Sequence, residues 1–257
     1  METSGTVIVY HGVGSSPPDR DPYHMLMPIE SFEWQMAFLA RKRRVVPLEW
    51  ILGGRATAGR PAVAITFDDG YRSFLTAAAP VLGQHGFPAT LFIPTGWIGE
   101  SMRWEPQPAD AVDLEIMTPE EIQACQDMGY EIGSHGHAHA HMAALPPSMA
   151  EADVAESMER LTGILGHRPR YLAYPWGEHS ATVRGAVEQA GFQAGFSINQ
   201  VDAGQFGRER VAIRRSDPRL VFEAKTSGRY LRARMSFVPR LTLRLMLPAL
   251  DWYRRQR

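Results

Sequence analysis

Short apolar runs of strand length alternate with longer amphipathic stretches along most of the chain. An apolar run of about four to eight residues is typical of a buried strand, whereas apolar residues three or four positions apart indicate a helix. The runs that predict strands lie at residues 6–10, 44–46, 62–65, 89–93, 130–132, 171–174, 193–197 and 211–213. The stretches that predict helices lie at residues 31–42, 72–85, 118–128, 148–165 and 180–190. Repeated strand-helix units predict a parallel sheet with helices packed outside it.

The helix predicted at residues 118–128 has a clear start signal. Thr118 and Glu121 form the capping-box pattern, in which each side chain binds the backbone N–H of the other residue. Pro119 occupies the first helical position, where its missing N–H is not needed. We therefore expect this helix to begin directly after Thr118.

Two adjacent carboxylates follow the apolar run at residues 62–65. Asp68 and Asp69 lie at the carboxyl end of this predicted strand, where α/β folds place their chemistry. Neighbouring side chains on extended backbone point to opposite sides, so both serve one site only where the strand ends and the chain turns. Gly70 can supply that turn. The alternative is an Asp-Asp-Gly turn that caps the following helix.

Four histidines follow the short strand predicted at residues 130–132. They form two pairs with a spacing of four residues, and spacing alone does not choose between them: His135, His137, His139 and His141. One carboxylate and two imidazoles would make a metal site with positions left open for water. A second carboxylate would then be free to accept a proton from that water. The alternative is a polar loop that binds metal adventitiously or not at all.

The carboxylate segment at residues 66–70 and the Ser-His-x-x-x-His pattern at residues 134–139 resemble two motifs of a known family. They are similar to the first two motifs of the polysaccharide deacetylase family, also called the NodB-homology or carbohydrate esterase family 4 domain. The similarity extends over residues 5–225 and is greatest to the branch that opens with Tyr-His-x-Val, here residues 10–13. The resemblance implies an α/β fold, a distorted (β/α)7-type barrel, in a single domain at residues 1–226.

The resemblance also implies roles for individual residues. Carried over by position, Asp68 is the catalytic base, and the metal ligands are Asp69, His135 and His139. The implied ion is zinc, with cobalt or nickel as alternatives. The two remaining histidines of the cluster become loop residues close to the site.

The third family motif, Arg-x-Pro-Tyr-Gly, corresponds to residues 172–177, where the sequence reads Leu-Ala-Tyr-Pro-Trp-Gly. Proline has no N–H to donate, so the resemblance implies the backbone N–H of Trp176 as the oxyanion donor. The arginine of the motif is absent. We expect Arg214 or Arg215 to supply a compensating charge.

The general acid of many family members comes from a C-terminal Leu-x-x-His motif, which this chain lacks because no histidine follows His179. In the Tyr-His-x-Val branch the N-terminal histidine resembles a substitute, so His11 is the expected acid. An imidazole suits proton donation to a leaving amine near neutral pH. The alternative is a core histidine that ends the first strand.

The resemblance implies a metal-dependent enzyme that hydrolyses N-acetyl groups of an amino sugar and releases acetate. The expected substrate is a glycan or a lipid-linked glycan precursor in exopolysaccharide or cell-envelope biosynthesis. One alternative is another hydrolase of the same fold that cuts non-peptide C–N bonds. A second is a catalytically silent protein that binds glycans or assists membrane assembly. Trp97, Trp104 and Trp176 are either stacking platforms for sugar rings or core residues.

Charge is distributed unevenly along the 257 residues. The chain has 27 basic and 28 acidic side chains, yet residues 227–257 hold eight arginines and a single acid, Asp251. The net charge is therefore about +7 for this segment and about −8 for the rest of the chain. An acidic body of this kind disfavours nucleic-acid binding, because it repels phosphate.

The basic segment also contains Leu, Met, Phe, Trp and Tyr. Its apolar runs are too short to cross a bilayer, which takes roughly 20 apolar residues. We expect residues 230–257 to form a basic amphipathic tail that lies along an anionic membrane surface. The alternatives are a helix packed on the barrel or a dimer contact.

The start of the chain and its cysteine content predict the compartment. Residues 1–5 lead directly into the first predicted strand and do not resemble a secretory signal. The single cysteine, Cys125, cannot form an internal disulfide and is expected to be buried. We therefore expect a cytoplasmic protein, peripheral on the inner face of the membrane, that acts on an intracellular precursor.

Overall fold

The computed structural model describes residues 5–16, 20–54, 59–104, 110–198, 204–228 and 230. The strands in these residues are β1 (Thr6–Tyr10), β2 (Gly12–Val13), β3 (Leu26–Met27), β4 (Arg44–Val45), β5 (Ala62–Phe67), β6 (Thr90–Ile93), β7 (Glu131–Ser134), β8 (Tyr171–Ala173), β9 (Ala194–Ile198) and β10 (Arg208–Ala212). The helices are α1 (Ile29–Lys42), α2 (Leu48–Leu52), α3 (Ala79–His85), α4 (Pro119–Asp127), α5 (Pro147–Leu165), α6 (Ala181–Gln189) and α7 (Arg219–Lys225). A π-helical turn, Phe74–Ala78, leads into α3.

Seven parallel strands close into a barrel surrounded by helices. Their order is β1-β10-β9-β8-β7-β6-β5, and pairing of β1 with β5 completes the ring. The short strand β4 pairs with β5 from outside the ring, through Arg44 and Ala62. The prediction of a distorted (β/α)7-type barrel is thereby confirmed.

The strands are apolar on both faces because both faces are covered. Every residue of β1 and of β5 is buried, as expected for parallel strands that lie between a barrel interior and an outer layer of helices. The interior is filled from five strands by Val7, Ala64, Phe92, Ala173 and Phe196. The described strands thus enclose a packed interior, which leaves their carboxyl ends for the chemistry.

Most predicted elements agree with the structure, with small shifts at their ends. The capping box of Thr118 and Glu121 is present with both reciprocal hydrogen bonds. The first helix begins at Ile29, two residues before the predicted start. The last strand was predicted at residues 211–213, and it begins three residues earlier. Glu209 and Arg210 are charged, so the sequence did not indicate a buried strand there, although both side chains are buried in the structure.

Two further predictions concern the chain outside the barrel and its cysteine. Residues 231–257, which hold nearly all of the predicted basic tail, lie outside the described residues. Among the helices that the structure does describe, none has the length and apolar character that a bilayer crossing requires. Cys125 is buried, as predicted, and burial raises the pKa of its thiol to about 12.

Candidate active site

A reversal of the backbone after β5 brings Asp68 and Asp69 into one site. The Asp68 N–H donates to the carbonyl of Tyr10 at 2.9 Å and continues the β1–β5 ladder by one residue. Asp69 and Gly70 then both adopt left-handed backbone, with φ of 67° and 64°. A side chain at Gly70 would also meet Ile93, since its Cβ would lie 2.8 Å from the Cδ1 atom. The turn that the sequence analysis required of Gly70 is therefore present, and both carboxylates are buried.

The histidine loop after β7 is held by a buried carboxylate of α5. Asp153 accepts hydrogen bonds from the backbone N–H groups of His137 and Ala138, each at 2.8 Å. The Ser134 hydroxyl accepts from the Gly136 N–H at 3.0 Å. These bonds leave the loop little freedom, so its imidazoles are held before any ligand binds.

Three donor atoms converge in a buried cluster formed by Asp69, His135 and His139. The Asp69 Oδ1 atom lies 3.3 Å from His135 Nε2 and 3.2 Å from His139 Nε2, and the three atoms lie within 4.8 Å of one another. This Oδ1 atom is buried and makes no hydrogen bond within the described residues. Two imidazole nitrogens and one carboxylate oxygen aimed at a common point fit a divalent cation with positions left for water.

The backbone around the cluster orients both imidazoles. His135 Nδ1 lies 2.8 Å from the carbonyl oxygen of Ala173, a contact that fixes Nδ1–H as donor and leaves Nε2 as the ligand atom. His139 has left-handed backbone, with φ of 56°. Its ring stacks on Trp104 at 4.2 Å, and its carbonyl accepts from Trp176 Nε1 at 3.3 Å. Each ligand ring is therefore held by contacts outside the cluster.

Burial and neighbouring charges act differently on the three side chains of the cluster. Burial acts to raise the pKa of Asp69, but its interactions with His135 and His139 prevail and hold that pKa well below the ordinary value. Burial lowers the pKa of His139, which favours its neutral, metal-binding form. For His135 burial acts in the same direction, but the carboxylates of Asp68 and Asp69 prevail and raise its pKa.

Asp68 pairs with an arginine that the sequence analysis did not select. The two terminal nitrogens of Arg210 each lie 2.7 Å from a carboxylate oxygen of Asp68, in a bidentate pair with both side chains buried. The guanidinium also donates to the Thr66 hydroxyl at 3.2 Å and lies over the Phe92 ring, 5.2 Å from its centroid. Burial acts to raise the pKa of Asp68, but the charges of Arg210 and His135 prevail and lower it.

The expectation that Arg214 or Arg215 compensates for the missing motif arginine was wrong. Arg215 pairs with the buried carboxylate of Asp21 at 3.3 Å, and the backbone N–H of Arg214 donates to Asp217. Both residues follow the end of β10, beyond the barrel. Arg210 reaches Asp68 because it lies on β10 itself. The sequence alone does not show this contact, because it depends on the register of the strands in the barrel.

The remaining predicted site residues border the cluster. His11 is half-buried directly after β1, close enough for its charge to lower the pKa of both Asp68 and Asp69. Trp176, with left-handed backbone at φ 63°, packs its ring edge-on against His139 at 5.3 Å. His11 and Trp176 thus both lie beside the ligand cluster.

The two other histidines of the loop are held away from the cluster. His137 Nδ1 lies 2.9 Å from the Thr95 hydroxyl, and its Nε2 lies 3.4 Å from Glu156. His141 is exposed and stacks on the ring of Trp176 at 4.5 Å. The structure therefore places the pair His135 and His139 in the cluster, and not His137 and His141.

An aromatic wall, formed by Tyr71, Trp97 and Trp104, stands beside the ligands. Trp104 stacks on the His139 ring and contacts Trp97 edge-on at 5.4 Å. Tyr71 is buried, and its ring is parallel to that of Trp104 at 6.4 Å. Trp97 is fixed by a hydrogen bond from its Nε1 to the carbonyl of Ala138 at 3.1 Å. The wall joins the histidine loop to the segment that follows β6.

Comparison with known proteins relates the chain to one family. The profile described as polysaccharide deacetylase matches residues 55–195, more than half of the chain. The chain is 25% identical over 215 residues to YxkH of Bacillus subtilis (strain 168), whose name assigns it provisionally to the polysaccharide deacetylases. That match covers 80% of this chain and 70% of the relative.

A second relative is the poly-beta-1,6-N-acetyl-D-glucosamine N-deacetylase of Staphylococcus aureus (strain MRSA252). It is 26% identical over 148 residues, which cover 54% of this chain and 48% of the relative, so the match spans about half of that protein.

Two solved structures share the fold. The deacetylase PplD of Streptococcus pyogenes, in complex with acetate, has a TM-score of 0.73 and 17% identity, with 88% of this chain and 99% of that one covered. IcaB from Ammonifex degensii has a TM-score of 0.71 and 22% identity, with coverage of 89% and 97%.

The first prediction concerns the metal ligands. Replacing any one ligand with alanine should lower the bound divalent metal and the catalytic rate together, because two ligands hold the ion weakly. The variants are Asp69→Ala, His135→Ala and His139→Ala, with metal content measured after dialysis. His137→Ala and His141→Ala are matched controls and should retain most of the metal. Full metal retention in any of the three ligand variants would show that the ligand set is different.

A second prediction concerns Arg210→Met. Without the guanidinium the pKa of Asp68 should rise, and because a base acts only when deprotonated, the low-pH limb of kcat/KM should move to higher pH. The measurement is the pH profile at saturating metal, with thermal unfolding recorded because breaking a buried pair costs about 3–5 kcal/mol. Arg215→Met is the matched control and should leave the limb in place. If the low-pH limb lies at the same pH in Arg210→Met as in Arg215→Met, Arg210 does not lower the pKa of Asp68.

Proposed function

This chain belongs to the polysaccharide deacetylase family and is a deacetylase, and we propose that it is a metal-dependent hydrolase of N-acetyl groups on an amino sugar. The proposed substrate is a glycan or a lipid-linked glycan precursor in exopolysaccharide or cell-envelope biosynthesis. The observation that carries the proposal is the convergence of Asp69, His135 and His139 beside a carboxylate, Asp68, that is paired with Arg210.

The three converging residues suit zinc, with cobalt or nickel as alternatives. The buried Oδ1 atom of Asp69, without a hydrogen bond in the described residues, supports this assignment. When bound, such an ion lowers the pKa of a water molecule and polarises the acyl oxygen of the substrate. The residues around the ion would supply the proton transfers and the oxyanion donor.

Asp68 is proposed to accept the proton of the attacking water. Arg210 holds both oxygens of this carboxylate and favours its ionised form, so the base keeps one orientation and is deprotonated near neutral pH. The distance of 4.0 Å between Asp68 Oδ2 and His135 Nε2 supports a base at the edge of the ligand set.

The proposed roles of Trp176 and His11 complete the amide hydrolysis. The backbone N–H of Trp176 would donate to the oxyanion, because the preceding Pro175 has no N–H. His11 would give a proton to the departing amine. It follows β1, the strand that pairs with β5, and this position near both aspartates supports the role.

The aromatic wall supports a sugar as the substrate. Trp104 stacks on His139 and Trp97 contacts Trp104 edge-on, and both are only partly buried; the exposed parts of such rings suit the apolar faces of sugar rings. The name of the S. aureus relative specifies a β-1,6-linked N-acetylglucosamine polymer, so that polymer is the first substrate to test. Acetate release from its oligomers would support the proposal. A metal-loaded protein that releases no acetate from any N-acetylated glycan would contradict it.

Asp68→Asn should retain metal and lose roughly 10²- to 10⁴-fold in the rate of acetate release, because an amide cannot accept the proton. Metal content and acetate are measured on the same preparation. Turnover within a few-fold of the wild-type rate would exclude Asp68 as the base. The conservative variant Asp68→Glu, which keeps the carboxylate, should lose less.

His11→Ala should also retain metal but lose rate. A general acid must be protonated to act, so the wild-type rate should fall at high pH, and the variant should lack this high-pH limb. The pH profile of kcat tests this, with the exposed His167→Ala as the matched control. An unchanged profile in His11→Ala would mean that another group or solvent delivers the proton.

A further inference from the structure

A groove of about 350 Å³ lies between α1 and α7 on the outside of the barrel. Its lining contains four cations, two aromatic rings and one acid: Arg41, Lys42, Arg43, Arg219, Trp34, Phe38 and Glu223. We call this the α1/α7 groove. This basic lining is unusual, because the chain outside residues 227–257 has a net charge of about −8.

The floor of the α1/α7 groove is a fixed aromatic cluster. Trp34 stacks on Phe38 at 5.8 Å, and both rings contact Phe222 of α7 edge-on, at 5.6 and 5.8 Å. Arg43 lies over the Phe38 ring at 5.0 Å and donates to the carbonyl of Glu223 at 2.8 Å. Arg43 therefore joins the two helices, and its role is structural.

The other three cations of the groove remain available to a ligand. Arg41, Lys42 and Arg219 are exposed, and no ion pair joins them to an acidic side chain within the described residues. The guanidinium of Arg219 lies over the Trp34 ring at 4.9 Å. This contact holds one positive charge at the rim of the groove.

The α1/α7 groove is separate from the candidate active site. Arg44, which directly follows its cations, pairs with Ala62 at the start of β5, whereas Asp68 follows the end of the same strand. The cations at the end of α1 are thus at the opposite end of the barrel from the aspartates.

Two large apolar side chains are exposed beside the same cations. Leu220 is 78% exposed and Val221 is 36% exposed, and both follow Arg219 in α7. Exposed apolar side chains next to unpaired cations are the combination with which proteins contact a membrane interface: cations bind headgroups while apolar groups enter the acyl boundary.

We propose that the α1/α7 groove and the exposed face of α7 bind the phosphate headgroups of an anionic membrane surface. The segment at residues 231–257 is a poor occupant, because it holds seven arginines and one acid and would be repelled. A second copy of the groove would be repelled for the same reason. A free phosphate compound would leave Leu220 and Val221 without a partner.

The test is sedimentation of the full chain with phosphatidylcholine vesicles that contain or lack phosphatidylglycerol. Wild-type protein should bind only the anionic vesicles, less strongly at high salt. Lys42→Gln combined with Arg219→Gln should weaken binding about 30-fold, since each cation near the surface strengthens it about fivefold. Leu220→Ser should weaken binding further and, at an exposed position, should not affect folding. Acetate release from a soluble glycan should be unchanged in all of these variants.

The matched control is Arg160→Gln combined with Arg168→Gln, which removes two exposed cations outside the groove. Equal loss in the control and the groove variant would overturn the proposal in favour of general charge attraction. Wild-type binding retained by the groove variant, or binding of pure phosphatidylcholine at the same strength, would also overturn it. Calorimetric binding of inorganic pyrophosphate by a wild-type protein that does not bind the anionic vesicles would assign the groove to a free anion.

Discussion

The buried ion pair of Asp68 and Arg210 is the interaction on which the site depends. Two adjacent carboxylates at the end of β5 would repel each other and resist burial. The bidentate contact with Arg210 compensates one of them at 2.7 Å, which leaves Asp69 to the two imidazoles. A guanidinium suits this position because it cannot be deprotonated in proteins and matches both carboxylate oxygens. The pair thereby separates the roles of two side chains that are neighbours in the chain.

Strained backbone is concentrated in the residues that this arrangement needs. Asp69, His139 and Trp176 all have left-handed backbone although none is glycine. Such residues persist only where the surroundings determine them, and each is fixed by a contact described above. In the part of the chain that the structure describes, the only other non-glycine residue of this kind is His24. The barrel thus stabilises a local geometry that each of these turns would not adopt alone.

Much of this arrangement was predictable from the sequence, for identifiable physical reasons. The barrel follows from buried parallel strands that read as apolar runs, and the aspartate turn follows from Gly70 at a strand end. Spacing alone did not separate His135 and His139 from the alternate pair, and the family resemblance made that choice. Arg210 and Asp153 were missed because their roles depend on contacts over 142 and 16 residues of sequence separation. A charged residue within a strand interrupts the apolar pattern from which strands are predicted. For the same reason β10 was predicted to begin three residues after its actual start.

The topology of the barrel explains how other strands supply the groups that the family motifs lack in this chain. The third motif on β8 lacks its arginine and the C-terminal acid motif is absent, yet the proposed acid follows β1 and the arginine lies on β10. Those strands are neighbours in the barrel, with Val9 opposite Ala212, and β1 also pairs with β5. Groups supplied from β1 and β10 therefore meet the β5 carboxylates from one side, while β7 and β8 supply the imidazoles and Trp176 from the other. A closed barrel lets the same constellation be assembled from different strands, because all of their carboxyl ends face one centre.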